Sequence, residues 1–396
     1  MLELLLNAEL YDPEPRGRAH LLVAGEKLVW IGAATPALDR SLGIRERDLG
    51  GRRVIPGLID GHVHLTGGGG EAGAHTRVPP LALSQLTRAG VTTAVGVLGT
   101  DDTVRTPGEL VTVARGLNDE GLSAYCLVGG YHIPPATVTG SVRSDLVLID
   151  LVLGVGELAI SDHRSSQPTI AELLRVAADA HVGGLMSGKA GVVHLHVGDG
   201  ARGLDLVRQA IETSELPAGM FHPTHVNRRK ALYDEALALA QRGCTIDLTA
   251  FPVAEGEDAW SAADGLVRYL DAGLPAARVT ISSDGGGCLP RFDAEGRVTE
   301  MDVGQPSSVA ETLKTLVAGG QPLERMLPAF TSNPARVFRL AHKGHLRPGA
   351  DADLVILDED GGIVDVMARG RWHVQEGKAV VHGVFESSAP GRVRLS

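Results

Sequence analysis

Two histidines separated by one residue, His62 and His64, have the type and spacing that could support chemistry. They follow an apolar run at residues 54–59 that is typical of a β-strand. Side chains two apart on a strand point the same way, so both imidazoles can converge on one point, as a metal ion requires. Two histidines on an exposed strand face would have the same spacing, so the pair alone leaves both interpretations open.

Further residues of metal-ligand type lie near the ends of later apolar runs. A lone histidine usually has only a packing role, but agreement at five strand ends favours a binuclear centre. Zn²⁺ accepts this mixture of imidazole and carboxylate ligands. On the run at residues 192–197 we choose His196 over His194, which lies further from the strand end; we interpret His194 and His222 as structural. The predicted ligands are His62, His64, Glu157, His196, His225 and Asp284.

Two metal ions that share a hydroxide would provide a nucleophile at neutral pH and a Lewis acid in one site. Asp284, bound to one metal, could take the hydroxide proton and pass it to a leaving amine. The predicted reaction is therefore hydrolysis of an amide or ester-like bond.

These ligands need a scaffold that brings strand ends together. Between residues 55 and 341, eight apolar runs alternate with helix-like segments, including residues 80–89, 169–180 and 230–242. This order predicts an α/β fold, a (β/α)₈ TIM-like barrel with its site at the C-terminal strand ends. An open doubly wound sheet is the alternative, but no GxGxxG opens a first helix. The predicted strands are residues 58–65, 91–98, 123–129, 156–161, 192–197, 221–226, 244–248 and 278–283.

The two ends of the chain have a different pattern. Short apolar runs at residues 21–23, 28–31, 353–357 and 363–370 are separated by glycines and charged turns. We expect residues 1–54 and 342–396 to pair into one small β-domain, a β-sandwich, beside a barrel formed by residues 55–341.

Composition excludes several classes of protein. A net charge of −11 with no basic block, and only 4% aromatic residues, argues against nucleic-acid binding. Three dispersed cysteines favour a reducing compartment. The N-terminus lacks the basic region of a signal peptide, and no apolar stretch is long enough to span a membrane. The expected location is cytoplasmic, with no membrane partner.

Several motifs resemble those of the amidohydrolase superfamily, and isoaspartyl dipeptidases in particular. HxH alone is weak evidence, whereas GGGGEAG, SDHRS and PTHVNR together are specific. The likeness extends over nearly the whole chain, through residues 62–73, 98–101, 131–134, 139–141, 160–165, 223–228 and 349–354.

The resemblance implies a binuclear zinc enzyme that cleaves β-aspartyl dipeptides and forms a homo-oligomer of high order, an octamer. It implies that His62, His64 and Asp284 hold one metal, and His196 and His225 the other. It further implies that Glu71 meets the substrate ammonium, Arg164 and Arg228 meet its carboxylates, Tyr131 polarises the scissile carbonyl, and Gly69 and Thr100 line the pocket. Arginine suits this role because its guanidinium binds carboxylates bidentately.

Two positions depart from the family pattern. Glu157 stands where a carboxylated lysine usually bridges the metals, and we expect Glu157 to be the bridge. A weak or missing second metal, or Lys189 as the bridging residue, are the alternatives. Cys288 replaces a serine that touches substrate, so it either lines the pocket or is a small buried hydrophobe.

Two other functions compete with the dipeptidase interpretation. One is another amidohydrolase that acts on a cyclic amide or an N-acyl amino acid, and the charged trio Glu71, Arg164 and Arg228 argues against it. The other is a catalytically inactive barrel used for binding, which the full set of ligand residues disfavours.

Overall fold

The structure is a computed structural model that describes residues 2–293 and 295–386. Its N-terminal strands are β1 (Leu2–Asp12), β2 (Glu14–Ala24), β3 (Lys27–Gly32), β4 (Arg45–Asp48) and β5 (Arg53–Pro56). β2 pairs antiparallel with both β1 and β3, whereas β4 and β5 run parallel to β1. The apolar runs at residues 21–23 and 28–31 therefore lie in strands, as predicted.

Parallel strands follow, and each overlaps one of the eight predicted runs. In the described chain, β6 to β11 form a six-stranded parallel sheet in sequence order, and β12 and β13 form a two-stranded parallel sheet. β9 begins at Val152, four residues before the predicted run, because its first residues already pair with β8. The strands are β6 (Leu58–Val63), β7 (Val91–Gly96), β8 (Ser123–Val128), β9 (Val152–Ile160), β10 (Val192–Val197), β11 (Phe221–Thr224), β12 (Ile246–Thr249) and β13 (Val279–Ser282).

Helices connect these strands. The helix over residues 170–187 is capped by Thr169, whose side chain and backbone exchange hydrogen bonds with Glu172. It extends beyond the predicted end at residue 180 because Gly183 and Gly184 pack closely against Leu146 and Gly191. The helices are α1 (Leu83–Arg88), α2 (Pro107–Asp119), α3 (Val142–Leu148), α4 (Ile170–Ser187), α5 (Asp205–Thr213), α6 (Lys230–Gln241), α7 (Ala262–Asp271), α8 (Ser307–Ala318), α9 (Leu323–Met326) and α10 (Ser332–Val337). Within residues 2–293 and 295–386, no helix has both the length and the apolarity to cross a bilayer.

The sequence VVHLHV of β10 shows how the parallel sheet separates its core from its polar face. Val193, Leu195 and Val197 belong to the main apolar cluster, together with the buried faces of the helices. Because side chains alternate along a strand, His194 and His196 project to the opposite face. The polar residues of the site therefore converge on the face turned away from the helices.

A hairpin and the C-terminal strands complete the described chain. β16 pairs antiparallel with β5, so the two chain ends join in one mostly antiparallel sheet, which has nine strands in the described part of the chain. Residues from both ends form its apolar core, including Leu5, Leu21 and Ile356. The strands are β14 (Cys288–Phe292), β15 (Val298–Val303), β16 (Leu354–Leu357), β17 (Ile363–Ala368), β18 (Arg371–Gln375) and β19 (Lys378–Ala379).

A buried lysine ties this sheet to the parallel strands. Lys343 Nζ lies 2.6 Å from Asp353 Oδ2, 2.8 Å from Asp351 Oδ2 and 2.5 Å from Ser123 Oγ, at the start of β8. The two carboxylates compensate a lysine side chain that is only 4% exposed.

Candidate metal centre and substrate cavity

The first part of the site forms where the end of β6 meets the loop after β13. His64 N donates to Gly285 O (2.8 Å), and Asp284 N donates to His62 O (3.2 Å). These backbone bonds bring Asp284 Oδ1 to 3.0 Å from His64 Nε2 and 3.4 Å from His62 Nε2. The HxH motif and Asp284, which are more than 200 residues apart in the chain, therefore share one buried corner.

A bulge in β9 places Glu157. Between Val193 and Leu195 of β10, the paired strand β9 advances by one extra residue, and Glu157 lies in this irregular step. Gly156 precedes it with φ of 151°, and a Cβ there would lie 2.6 Å from His194 O. Only glycine fits that position, and the bulge turns the Glu157 side chain into the centre.

The Glu157 carboxylate lies between two pairs of histidines. Its Oε1 is 2.6 Å from His196 Nδ1 and 3.0 Å from His225 Nε2. Its Oε2 faces the other side, 3.5 Å from His62 Nε2 and 3.7 Å from His64 Nε2. Each oxygen thus faces a different potential metal position.

Lys189, the other candidate for the bridging residue, lies elsewhere. Its ammonium donates to Ile149 O at 2.6 Å, near the start of β9, whereas Glu157 lies in the C-terminal half of that strand. Lys189 is therefore at the opposite end of the strand from the ligand cluster.

The cluster fits metal ions. Ligand atoms of His62, His64 and Asp284 lie within 4.8 Å of one another, as do those of His62, Glu157 and His225. The buried oxygens Glu157 Oε2 and Asp284 Oδ1 make no hydrogen bond. A buried carboxylate oxygen without a partner is costly, and a cation would satisfy both. His196 lies outside these two groups but touches Glu157 through Nδ1.

The carboxylates are anionic in this setting. Burial favours a raised pKa at Glu157, but His62 and His196 hold its pKa well below the ordinary range. Burial is likewise outweighed at Asp284, where His62 and His64 lower the pKa. Burial acts to lower the pKa of His62, yet Glu157 and Asp284 raise it to about 9. The pKa of His225 falls to about 4 because of burial. The centre thus stabilises added positive charge.

Asp162, for which no role was predicted, connects the candidate ligand His196 to Arg164 in the cavity. Its Oδ2 lies 2.9 Å from His196 Nε2 and accepts from Arg164 Nη2 at 2.8 Å. Its Oδ1 accepts from Arg164 N (2.7 Å) and Nε (3.1 Å). Burial favours a raised pKa at Asp162, but these two partners hold it well below its usual range. The available signal was the SDHRS motif, in which Asp162 and Arg164 are two residues apart.

A cavity of about 760 Å³ opens above the cluster. Its wall includes the β14–β15 hairpin, through residues such as Leu289, Phe292 and Met301. All the residues predicted to contact substrate line it: Glu71, Gly69, Thr100, Tyr131, Arg164, Arg228 and Cys288.

The charged residues of the cavity are held by neighbours. Glu71 Oε1 accepts from Thr100 Oγ1 at 3.0 Å and lies 3.4 Å from Arg164 Nη1, whereas Glu71 Oε2 is buried without a hydrogen bond. Arg228 donates to Val197 O at 3.1 Å. The cavity therefore presents one carboxylate and two guanidinium groups.

Tyr131 and Cys288 both keep their protons. The Tyr131 hydroxyl lies 2.8 Å from His196 Nδ1, beside the cluster. Burial, with the Glu157 charge, raises its pKa well above the ordinary value. Cys288 is half-buried, and burial with the Glu71 charge raises the pKa of its thiol to about 12.

The fold and this cluster define a metal-site hydrolase, and comparison with known proteins gives the same class. The profile of the amidohydrolase family matches residues 53–373, and the chain belongs to that family. The chain is 43% identical to a β-aspartyl dipeptidase from Fervidobacterium islandicum AW-1, solved in complex with β-Asp-Leu. That match covers 96% of this chain and 98% of the other, with a TM-score of 0.89. A second structure of the β-aspartyl dipeptidase from this source is 42% identical in sequence, over 96% of this chain and 98% of the other, with a TM-score of 0.86.

Curated relatives are more distant. An imidazolonepropionase of Paracoccus denitrificans is 25% identical, over 90% of this chain and 94% of its own length. An adenine deaminase of Methanoregula boonei is 26% identical over 89% of this chain. The predicted resemblance to isoaspartyl dipeptidases is confirmed by the solved structures.

Proposed function

We propose that this chain hydrolyses β-aspartyl dipeptides at a metal centre. The observation that supports this most directly is one cavity that combines the ligand cluster with Glu71, Arg164 and Arg228. A β-aspartyl dipeptide has one ammonium and two carboxylates, which matches one anionic and two cationic side chains. The 43% identical structure was solved with such a dipeptide bound.

In the proposed centre, His62, His64 and Asp284 hold one metal ion, His196 and His225 hold the other, and Glu157 bridges them. The unpartnered oxygens of Glu157 and Asp284 support this assignment. Zinc is the proposed metal because the donors are imidazole and carboxylate. When bound, two such ions would activate water and polarise the scissile carbonyl.

The chain's own residues move the protons. Asp284, kept anionic, takes a proton at its carboxylate from the attacking water and delivers it to the leaving amine. Tyr131 keeps its hydroxyl proton and donates a hydrogen bond to the carbonyl oxygen, where charge develops.

The remaining residues orient the substrate. Glu71 binds the α-ammonium through Oε2, which is buried without a hydrogen bond. Arg164 and Arg228 each bind a carboxylate. Gly69, Thr100 and Cys288 form the walls, and Gly69 must remain glycine because a Cβ would lie 2.4 Å from Thr76 O.

The test is kcat/KM of the zinc-loaded protein on β-Asp-Leu, with α-Asp-Leu as control. We expect strong preference for the β-linked peptide. Glu71→Gln keeps the size of the side chain but removes its charge, and it should raise KM for the dipeptide. Absence of activity on either peptide, with two metals bound, would refute the dipeptidase assignment.

The second candidate is another amidohydrolase, acting on a cyclic amide or an N-acyl amino acid. The imidazolonepropionases among the curated relatives favour it. A hydantoin and N-acetyl-leucine, assayed beside the dipeptides, distinguish the two functions. Neither probe carries an ammonium, so activity on them would not depend on Glu71.

We also propose the complete architecture. The two parallel sheets close into one eight-stranded barrel at residues 55–341; β11 lies beside β12, and β13 beside β6, with a parallel bridge between Val63 and Gly285. Residues 2–54 and 342–386 form the small β-domain, whose sheet folds around its own apolar core as a sandwich; residue 1 and residues 387–396 of the predicted domain lie outside the described part of the chain. The octameric assembly and the cytoplasmic location stay predictions.

A further inference from the structure

A row of buried imidazoles lies beneath the ligand His62. His62 Nδ1 is 2.7 Å from His194 Nε2, and His194 Nδ1 is 3.0 Å from His222 Nδ1. His222 Nε2 is 3.0 Å from Thr280 Oγ1. The three histidines, here called the histidine row, are at most 1% exposed. Every ring nitrogen of the row except His62 Nε2 thus has a partner inside the row or at Thr280.

The row ends on a carboxylate whose hydrogen bonds have a fixed direction. Asp247 is buried and accepts from Thr280 Oγ1 at 2.6 Å, from Thr224 Oγ1 at 2.7 Å and from Ser282 Oγ at 2.6 Å. Three hydroxyl groups donate to this one carboxylate, so the Thr280 proton is committed to Asp247. The Thr280 oxygen therefore accepts from His222 Nε2–H.

The donor and acceptor roles of the ring nitrogens can then be assigned one ring after another. Burial lowers the pKa of His222 to about 4, so its ring is neutral and carries one N–H. With that proton on Nε2, His222 Nδ1 accepts from His194 Nδ1–H. Since His194 Nδ1 is then the donor toward His222, its Nε2 is the nitrogen that accepts from His62 Nδ1–H. His62 Nδ1 is thus the nitrogen that donates to His194, and Nε2 is the nitrogen that faces Asp284 and Glu157, where a metal ion would take the place of a proton.

We infer that His194, His222 and Thr280 are positioning residues that fix the tautomer of His62, so that its Nε2 is presented to a metal ion. Hydrogen bonds that set the tautomer of a ligating histidine typically affect metal affinity by about 10–100-fold. This inference rests on the proposed metal centre. It also explains why the neighbouring strands β10 and β11 each carry a buried histidine, His194 and His222, that does not line the substrate cavity.

The first test replaces His194 in two ways. His194→Gln offers an oxygen that accepts from His62 and an amide that donates to His222, so it preserves the direction of the row. His194→Leu has neither group. Zinc dissociation constants of the folded full-length proteins are measured by competition with a chromophoric chelator. We expect the leucine variant to bind zinc about 10–100-fold more weakly, and the glutamine variant to recover most of that loss.

The second test uses two matched threonines. Thr280→Val and Thr224→Val each remove one buried hydroxyl from Asp247, but only Thr280 touches the histidine row. The thermal unfolding midpoints of both variants measure the loss of stability that comes from removing a hydrogen bond to Asp247, which the two variants share. We expect zinc affinity to fall roughly 10-fold for Thr280→Val and to stay near wild type for Thr224→Val.

The outcomes separate the two levels of inference. A wild-type protein that binds no zinc would overturn the metal centre and the positioning role together. Alternatively, the wild-type protein binds zinc while the two variants of each pair lose zinc affinity equally, or neither variant loses any. That result would overturn the positioning role alone.

Discussion

Replacing Asp162 by asparagine tests how the substrate arginine is linked to the metal ligands. Each oxygen of Asp162 faces two donors. Oδ1 faces N and Nε of Arg164, and Oδ2 faces Nη2 of Arg164 and Nε2 of His196. Asparagine has nearly the same shape but presents one NH₂ group. Whichever way the amide is oriented, two donors lose their acceptor and face another donor.

The magnitude follows from these contacts. A hydrogen bond that involves a charged group contributes about 1.5–3 kcal/mol, so two lost bonds amount to about 3–6 kcal/mol. The Arg164 side chain is 12% exposed, so water can replace part of the loss, and we take the lower end. About 1.4 kcal/mol corresponds to a tenfold change. We therefore expect kcat/KM to fall about 100-fold.

The assay measures kcat/KM on β-Asp-Leu together with the zinc content of Asp162→Asn. Displacement of Arg164 should raise KM, whereas displacement of His196 should lower the zinc content. Asp199→Asn is the matched control, because Asp199 is 75% exposed and lies 3.7 Å from Arg228. We expect it to change kcat/KM by less than about threefold, since exposed pairs contribute little. An Asp162→Asn enzyme with wild-type zinc content and kcat/KM would refute the proposed link.

Three further predictions concern other sites. Glu157→Gln should lose at least one zinc per chain by elemental analysis, because an amide cannot act as an anionic bridge; two retained zincs would contradict this. Cys288 should react with iodoacetamide at pH 8 roughly 1,000-fold more slowly than an ordinary thiol, since its pKa is about 12 rather than 9.0, and ordinary reactivity would show that burial and the Glu71 charge do not raise the pKa of this thiol. Lys343→Met should lower the free energy of unfolding in urea by about 3–5 kcal/mol, because the buried Asp353 loses its counter-charge, whereas Asp351 keeps Lys27; wild-type stability would show that the cluster contributes little.

The candidate ligand residues could be located from the sequence because they follow local rules. A strand fixes the direction of its side chains with a period of two, and parallel strands end at one edge. His62, His196 and Asp284 therefore stood out from their positions in apolar runs. The strands of the chain ends were found by the same pattern, although their pairing through β5 and β16 required the structure.

The partners of these ligands followed no local rule. The second ring nitrogen of His196 contacts Asp162, whereas that of His62 contacts another imidazole. Which partner a ring finds depends on distances across several strands. His194 was visible in the HLH motif and His222 in FHPTH, yet an isolated buried histidine has no signature that separates packing from positioning. The β9 bulge likewise depends on pairing with β10 rather than on the sequence of β9 alone.

That bulge explains how a glutamate can occupy the position of a longer bridging group. Glu157 is shorter than a carboxylated lysine by roughly 4 Å, so its backbone must lie closer to the centre. Gly154 and Gly156 permit this approach, because a Cβ would lie 2.3 Å from Val192 O at the first and 2.6 Å from His194 O at the second. The bulge then directs the carboxylate so that its two oxygens face different histidine pairs. The proposed bridge would need no added CO₂, and it would tie metal binding to the local geometry of β9 and of β10, the strand that holds His194 and His196.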